Sequence, residues 1–167
     1  MKKEQIACET QDGNISWADT DNIQLRTSAY GILADNSGRL LVIQAHLPLW
    51  EFPGGTPENG ETISQAVERE FEEETGIKIR PKELILLRES FYQTPGKQVY
   101  HSLQHFFIVE KIGGNINFSK DNLTQATWNE TLDLSQDNMN RGAFEALKAY
   151  LEYPQGKFRF LNPAQNG

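Results

Sequence analysis

Between Gly55 and Ile77 the chain carries seven glutamates and one cation, Arg69. Nearly all of the formal net charge of −7 comes from this one stretch; the other residues hold 16 acids and 15 bases. The stretch is internal and interleaved with apolar residues, unlike an acidic disordered tail. It also carries the punctuation of a helix. Thr62-Ile63-Ser64-Gln65 has the form of a capping box, and Gly76 suits the left-handed residue that stops a helix. The spacing predicts a helix over 62–75.

That helix is constrained by where its glutamates fall. At about 100° per residue, Ile63, Ala66, Val67 and Phe71 share an arc of roughly 140°. Glu70 and Glu74 lie inside this apolar arc, and Glu73 borders it. Glu68 and Glu72 point the other way, as solvated charges do. A carboxylate on a buried face costs several kcal/mol (order of magnitude) unless its desolvation is offset. Three acids at i, i+3 and i+4 also repel one another. A cation resolves both problems, and carboxylate oxygens suit hard ions such as magnesium, manganese or calcium. A salt-bridged glutamate cluster is the structural alternative. Pro53-Gly54-Gly55, just before the helix, breaks regular structure and lets backbone approach a ligand or ion closely.

The rest of the chain reads as one strand-rich domain over 1–167, with 1–26 and 152–167 peripheral. Residues 1–26 are polar and suggest one short edge strand. Strands are predicted at 27–34 and 40–45 around the turn Asp35-Asn36-Ser37-Gly38, at 83–92 and 99–110 around Thr94-Pro95-Gly96, and at 126–129. Residues 113–124 read as a loop, and a last helix is predicted over 137–151. The tail, with Pro154, Gly156 and Pro163, reads as irregular. Its Phe158 and Phe160 are candidates to dock on the body or on a second copy, as a homodimer. The elements form a strand-rich mixture with two clear helices, hence α+β or mixed α/β, with helices packed on a sheet. Cys8 is the single cysteine, which excludes an intrachain disulfide and suits a reducing, cytoplasmic setting. The start lacks an apolar signal segment, and no apolar run is long enough to span a membrane. A pI near 5.0 without a basic cluster argues against a nucleic acid polymer as partner.

The spacing through the acidic stretch is specific. Gly55 is followed after five residues by Glu61, and after seven more by Arg69-Glu70-Phe71-Glu72-Glu73-Glu74-Thr75-Gly76-Ile77. This resembles the box of the Nudix hydrolases, with every fixed position filled and Phe71 and Ile77 in the apolar slots. Trp50-Glu51-Phe52-Pro53-Gly54-Gly55 and the order of elements extend the likeness over roughly 27–151. The resemblance implies an α/β/α sandwich around a mixed sheet, with the box as loop–helix–loop. It implies a magnesium- or manganese-dependent hydrolase acting on a nucleoside diphosphate linked to another moiety. By the same resemblance Glu70, Glu73, Glu74 and Gly55 are metal ligands, and Glu70, Glu73 and Arg69 belong to the catalytic group. Arg69 orients a helix glutamate and Glu61 supports the site. The general base is Glu70 or a later acid, with Glu110 and Glu130 as candidates. An acidic site repels a diphosphate until divalent ions reverse the local sign. The other class to weigh is a Nudix-fold module that binds a nucleotide without cutting it; its mark would be lost box glutamates, and none is missing.

Substrate identity is less legible. Tyr92 and Pro95 match two different branches of the family, so they do not discriminate. Trp50 and Tyr92 are candidates to stack on a base, while Phe52 reads as core. Arg26, Arg39, Arg88 and Lys97 are candidate phosphate contacts. His101 and His105 share a strand face but lack the further ligands a zinc site needs.

Overall fold

A computed structural model describes residues 4–45, 48–117, 125–153 and 158–161. The elements in chain order are β1 (Gln5–Thr10), β2 (Ile15–Asp19), β3 (Gln24–Ile32), β4 (Leu40–Gln44), β5 (Gly54–Gly55), α1 (Ile63–Thr75), β6 (Ile77–Gln93), β7 (Val99–Gly114), β8 (Gln125–Asn129), α2 (Arg141–Glu152) and β9 (Arg159–Leu161). The main sheet runs β2-β1-β6-β7-β3-β5, with β9 also paired to β6. Pairings β1·β6, β3·β7 and β6·β9 are parallel; β1·β2, β6·β7 and β3·β5 are antiparallel. β4 and β8 form a separate antiparallel pair.

Alternation along the strands sorts the core into two layers. On β4, Leu40 and Val42 pack with Ala143, Ala146 and Leu147 of α2. Leu41, between them, packs with Val67 and Phe71 of α1. Successive strand side chains point to opposite faces, so the two helices cover opposite sides. This is the expected α/β/α arrangement. Phe52 is 1% exposed within the α2-side core.

The sequence-predicted helix start and stop are both present. Thr62 and Gln65 form the reciprocal capping box, and Gly76 closes α1 at φ 74°. Several strand boundaries differ from expectation. Residues 1–26 hold a β1–β2 hairpin and the start of β3, not one edge strand. Ile15 and Trp17 on β2 face outward, and the one buried pair, Cys8 and Ala18, is too sparse to show as alternation. β6 begins at Ile77, immediately after α1, and passes Pro81 through register shifts. Proline withholds a ladder donor, and the bulges absorb it. β7 runs on to Gly114, into the expected loop. α2 starts at Arg141, with Asn140 as N-cap accepting from the Ala143 N–H at 2.8 Å. The tail contributes β9, where an irregular segment was expected. The part of the 113–124 loop at 118–124 lies outside the described residues, as do Pro154, Gly156, Pro163 and the Phe160 side chain. Phe158 is exposed.

One buried ion cluster ties the sheet to α2. Arg88 on β6 is 1% exposed. Its Nε donates to Glu145 Oε2 of α2 at 2.6 Å, its Nη1 to Gln104 Oε1 of β7 at 2.7 Å, and its Nη2 to Glu9 of β1. Burial alone would lower the guanidinium pKa, but Glu9 and Glu145 outweigh it and hold the charge. Arg88, read as a phosphate candidate, is instead committed to these partners. Removing one member of such a cluster strands the opposite charges. Arg88→Met is expected to cost about 3–5 kcal/mol, read as a lowered urea midpoint with an unchanged m-value.

Candidate functional site

The two kinds of glutamate on α1 separate as their angles require. Glu68 and Glu72 are exposed, whereas Glu70, Glu73 and Glu74 are partly buried. Val67 and Phe71 are fully buried and fix the helix rotation. The segment before the helix is then drawn against its C-terminal half. β5 pairs with β3 through Ala29↔Gly55 and Tyr30↔Gly54. Gly54 has φ 153°, and a Cβ there would meet the Ala29 carbonyl oxygen at 2.1 Å, so no other residue fits this approach. From this position the Gly54 N–H donates to Glu74 Oε2 at 2.9 Å. A Cβ on Gly55 would lie 2.6 Å from the Glu70 carboxyl carbon, so the Glu70 head occupies the space the glycine leaves.

Arg69 braces the remaining carboxylates. Its Nε and Nη2 donate to Glu61 Oε1 and Oε2 at 2.7 and 2.9 Å, a bidentate fork. Its Nη1 lies 3.0 Å from Glu70 Oε1 and 3.4 Å from Glu73 Oε2. Its Nη2 also donates to the Thr56 carbonyl at 3.2 Å. The Arg69 hydrogen bond, helped by the Glu58 N–H, pulls the Glu61 carboxyl down to about 2. Glu61 in turn raises the Arg69 pKa above its ordinary value. At neutral pH both partners are charged, and the fork holds Arg69 beside Glu70 and Glu73.

Among the described residues no three carboxylate, imidazole or thiol groups are gathered as a preformed metal cluster. The donor chemistry nonetheless suits a hard divalent cation. Glu70, Glu73 and Glu74 are oxygen donors on one helix face, and the Gly55 backbone lies against Glu70 with no side chain in between.

A cavity of about 310 Å³ opens beside this loop, on the sheet face that α2 covers. Arg26 lines it and joins it to the box, since its Nε donates to Thr56 Oγ1 at 3.2 Å. Tyr30, stacked on Phe106 at 5.0 Å, and Tyr92 bring aromatic surface. Trp50 packs against the α2-side core and pairs with Met139, and it does not line the cavity. Its neighbour Glu51 does. Glu51 Oε2 accepts from Asn140 Nδ2 at 2.7 Å. Burial pushes the Glu51 carboxyl up to about 7, against the downward pull of that hydrogen bond. Sequence reasoning passed over this residue. The available signal was an acid set between two aromatic residues directly before Pro53.

The other candidates lie elsewhere. Glu110 pairs with Lys82 at 3.0 Å and Arg80 at 3.9 Å. Glu130 is exposed at the start of a short 3₁₀ turn. Arg39 pairs with Asp35 at 2.7 Å in the β3–β4 turn, and Lys97 is exposed in the β6–β7 turn at φ 63°. His101 bonds to Glu89, and His105 Nδ1 lies 3.1 Å from the Ser28 carbonyl, so the two histidines have separate strand partners.

The NUDIX domain family matches residues 24–150. An ADP-ribose pyrophosphatase of Methanocaldococcus jannaschii is 31% identical over 131 residues, covering 76% of this chain and 72% of the relative. A Xenopus laevis protein, nucleoside diphosphate-linked moiety X motif 6, is 29% identical over 110 residues, covering 64% of this chain. The chain spans only 50% of that relative's length. An 8-oxo-dGTP diphosphatase of Escherichia coli is 35% identical over 91 residues, covering 52% of this chain and 67% of the relative. Among solved structures, a NUDIX hydrolase from Nitrosomonas europaea superposes with a TM-score of 0.67 at 15% identity, covering 96% of this chain and 94% of that one. An ADP-ribose pyrophosphatase from Streptococcus suis gives 0.62 at 15% identity, covering 82% and 98%. At that identity the structures establish the fold.

The raised Glu51 pKa has a stability consequence with a definite sign. Between about 4.5 and 7 the folded chain binds more protons at Glu51 than the unfolded chain does. Stability from this group is therefore fully present below 4.5 and lost as pH rises to 7. Glu51→Gln is expected to remove that decline, worth about 3 kcal/mol at most. Parallel melting curves of both proteins across this pH window check it; parallel pH profiles would refute it.

Proposed function

Because the chain belongs to the NUDIX domain family, the Nudix hydrolases, we propose that it is a divalent-metal-dependent hydrolase of a diphosphate linkage in a nucleoside diphosphate derivative. The observation that carries this reading is the junction at Thr56. On one side Arg69 holds Glu70 and Glu73 beside the Thr56 carbonyl. On the other, Arg26 bonds the Thr56 hydroxyl and lines the cavity. The carboxylate face and a moiety-sized cavity are thus linked through one residue, Thr56.

Glu70, Glu73, Glu74 and the Gly55 backbone would hold magnesium or manganese. The bound ion supplies positive charge for phosphate oxygens and lowers the pKa of water. The chain's own residues set the geometry around it. Gly54 anchors Glu74 through its N–H, Arg69 keeps Glu70 and Glu73 in place, and Glu61 fixes the Arg69 fork. Arg26 meets the substrate's phosphate end with a cation. Glu70 is the proposed base for the attacking water, since Glu110 is paired with Lys82 and Arg80 and neither it nor Glu130 lines the cavity. The named relatives include an ADP-ribose pyrophosphatase and an 8-oxo-dGTP diphosphatase. Both compounds contain a nucleoside diphosphate unit, and this chain is proposed to share that unit. Among the described residues no helix is long and apolar enough to cross a membrane. A cytoplasmic setting is proposed, in keeping with one buried free cysteine.

Hydrolysis of ADP-ribose, nucleotide sugars, nucleoside triphosphates (oxidised ones included), dinucleoside polyphosphates and coenzyme A tests the activity. Glu74→Gln keeps an oxygen to accept the Gly54 N–H but removes a charge. It is expected to lower magnesium-dependent turnover roughly 100-fold or more while its circular dichroism spectrum stays native. Saturating magnesium is expected to raise the melting temperature of the parent by several degrees and that of the variant by less. Wild-type turnover in the variant would remove Glu74 from the metal set. Nucleotide binding with no turnover of any substrate would leave a binding module.

A further inference from the structure

The family match begins at residue 24, yet one wall of the cavity comes from residues before it. The β1–β2 hairpin contributes Glu9, Thr10, Gln11 and Gly13 to the lining. Its seat is built into the fold. β1 pairs in parallel with the end of β6 through Glu9↔Tyr92 and Thr10↔Gln93. Ser16 Oγ donates to Gln93 Oε1 at 2.7 Å, and Cys8 and Ala18 pack with Val99 and Phe91.

The strand order places this wall away from the box. β6 and β7 lie between β1 and β3, so Glu9 and Arg26 are about 14 Å apart across the sheet at ~4.8 Å per strand. The two ends differ in charge. Arg26, at the box end, offers a cation to phosphate. At the hairpin end, Arg88 is matched by Glu9 and Glu145, and Arg141 Nε lies 3.5 Å from both of those carboxylates. Two cations and two anions cancel there, leaving no net charge to hold an ionic ligand. The surface between includes Ser90, Ser102 and Gln104, which donate and accept hydrogen bonds, the Asn140–Glu51 pair and the rings of Tyr30 and Tyr92, and Gln11 adds an amide from the hairpin. At 310 Å³ the cavity sits at the small end of the ~300–1,000 Å³ range of ligand sites, enough for one moiety.

We propose that the β1–β2 hairpin is a specificity element that closes the cavity opposite the box and selects a neutral, polyhydroxylated group, a sugar, over a charged or apolar one. This rests on the diphosphate reading above for the phosphate end alone. Gln11 and Glu9 are the specificity-determining side chains: Gln11 by direct hydrogen bonding, Glu9 through its pairing with Arg88 and Arg141.

Calorimetric titration of the full chain in calcium, with ADP-ribose, ATP and coenzyme A as probes and product release followed in the same samples, separates binding from turnover. The parent chain is expected to bind ADP-ribose more tightly than coenzyme A, whose distal arm is long and whose nucleoside carries an extra phosphate. Gln11→Ala is expected to weaken ADP-ribose about tenfold, the scale of one lost hydrogen bond, and to leave coenzyme A nearly unchanged. In magnesium the same variant is expected to raise KM with kcat retained. Glu9→Gln should act in the same direction; if it fails to fold, Gln11→Ala, which lies outside the ion cluster, decides. Weakening of ADP-ribose alone assigns the cavity to the terminal sugar, and weakening of ATP as well assigns it to the sugar of the nucleoside; both support the proposal. Equal losses on all three probes, no loss on any, or a preference for coenzyme A would overturn it. Selective binding without turnover would sink the hydrolase reading and leave the hairpin's role standing. Turnover with no probe-selective effect of either substitution would do the reverse.

Discussion

Carboxylates on the inward face of α1 are the constraint to which the rest of the structure answers. Val67 and Phe71 hold the helix rotation, and that rotation carries Glu70, Glu73 and Glu74 toward the fold. Their desolvation is offset at two places. Gly54 donates its N–H to Glu74, and Arg69 reaches Glu70, Glu73 and Glu61 together. The first depends on β5 docking on β3, which needs a residue without a Cβ at position 54. The second depends on the loop between β5 and α1 folding back far enough to deliver Glu61. The acidic segment is thus its own scaffold, closed by backbone geometry on one side and by one guanidinium on the other.

The molecule uses arginine–glutamate clusters in two ways. Around Arg88 the guanidinium and Glu145 are buried while Glu9 is partly exposed, and the partners come from β1, β7 and α2. Such a cluster rigidifies and offers little to a ligand, because every charge already has its counterpart. Around Arg69 the side chains are partly exposed, at 23% for Arg69 and 42% for Glu73. Anions outnumber cations there, and this is where the proposed metal is placed. Similar residue types yield a structural tie in one place and a net acidic surface in the other, and exposure with charge balance makes the difference.

Local features were legible in the sequence because their physics is local. The capping box at Thr62 and Gln65, the stop at Gly76 and the division of glutamates between wet and inward faces all follow from helix geometry over a few residues. The edges of the sheet were not. β1 and β2 bury few side chains, β6 crosses Pro81 only with bulges, and β9 exists by pairing with β6. Arg88 looked like any arginine available to phosphate until β1 and α2 enclosed it. Glu51 was silent because its burial and its bond to Asn140 join positions 89 residues apart.

The sequence by itself determined the layout of the box: which glutamates point inward and which point to water. Spacing along a helix converts directly into direction, so no tertiary information was required. The tertiary structure alone decided what surrounds the box. It brought Arg26 to Thr56, hid Arg88, raised Glu51 and set the β1–β2 hairpin across the end of the cavity. Each of these depends on contacts between strands and helices distant in the chain, where burial and charge pairing exist only after the sheet has formed.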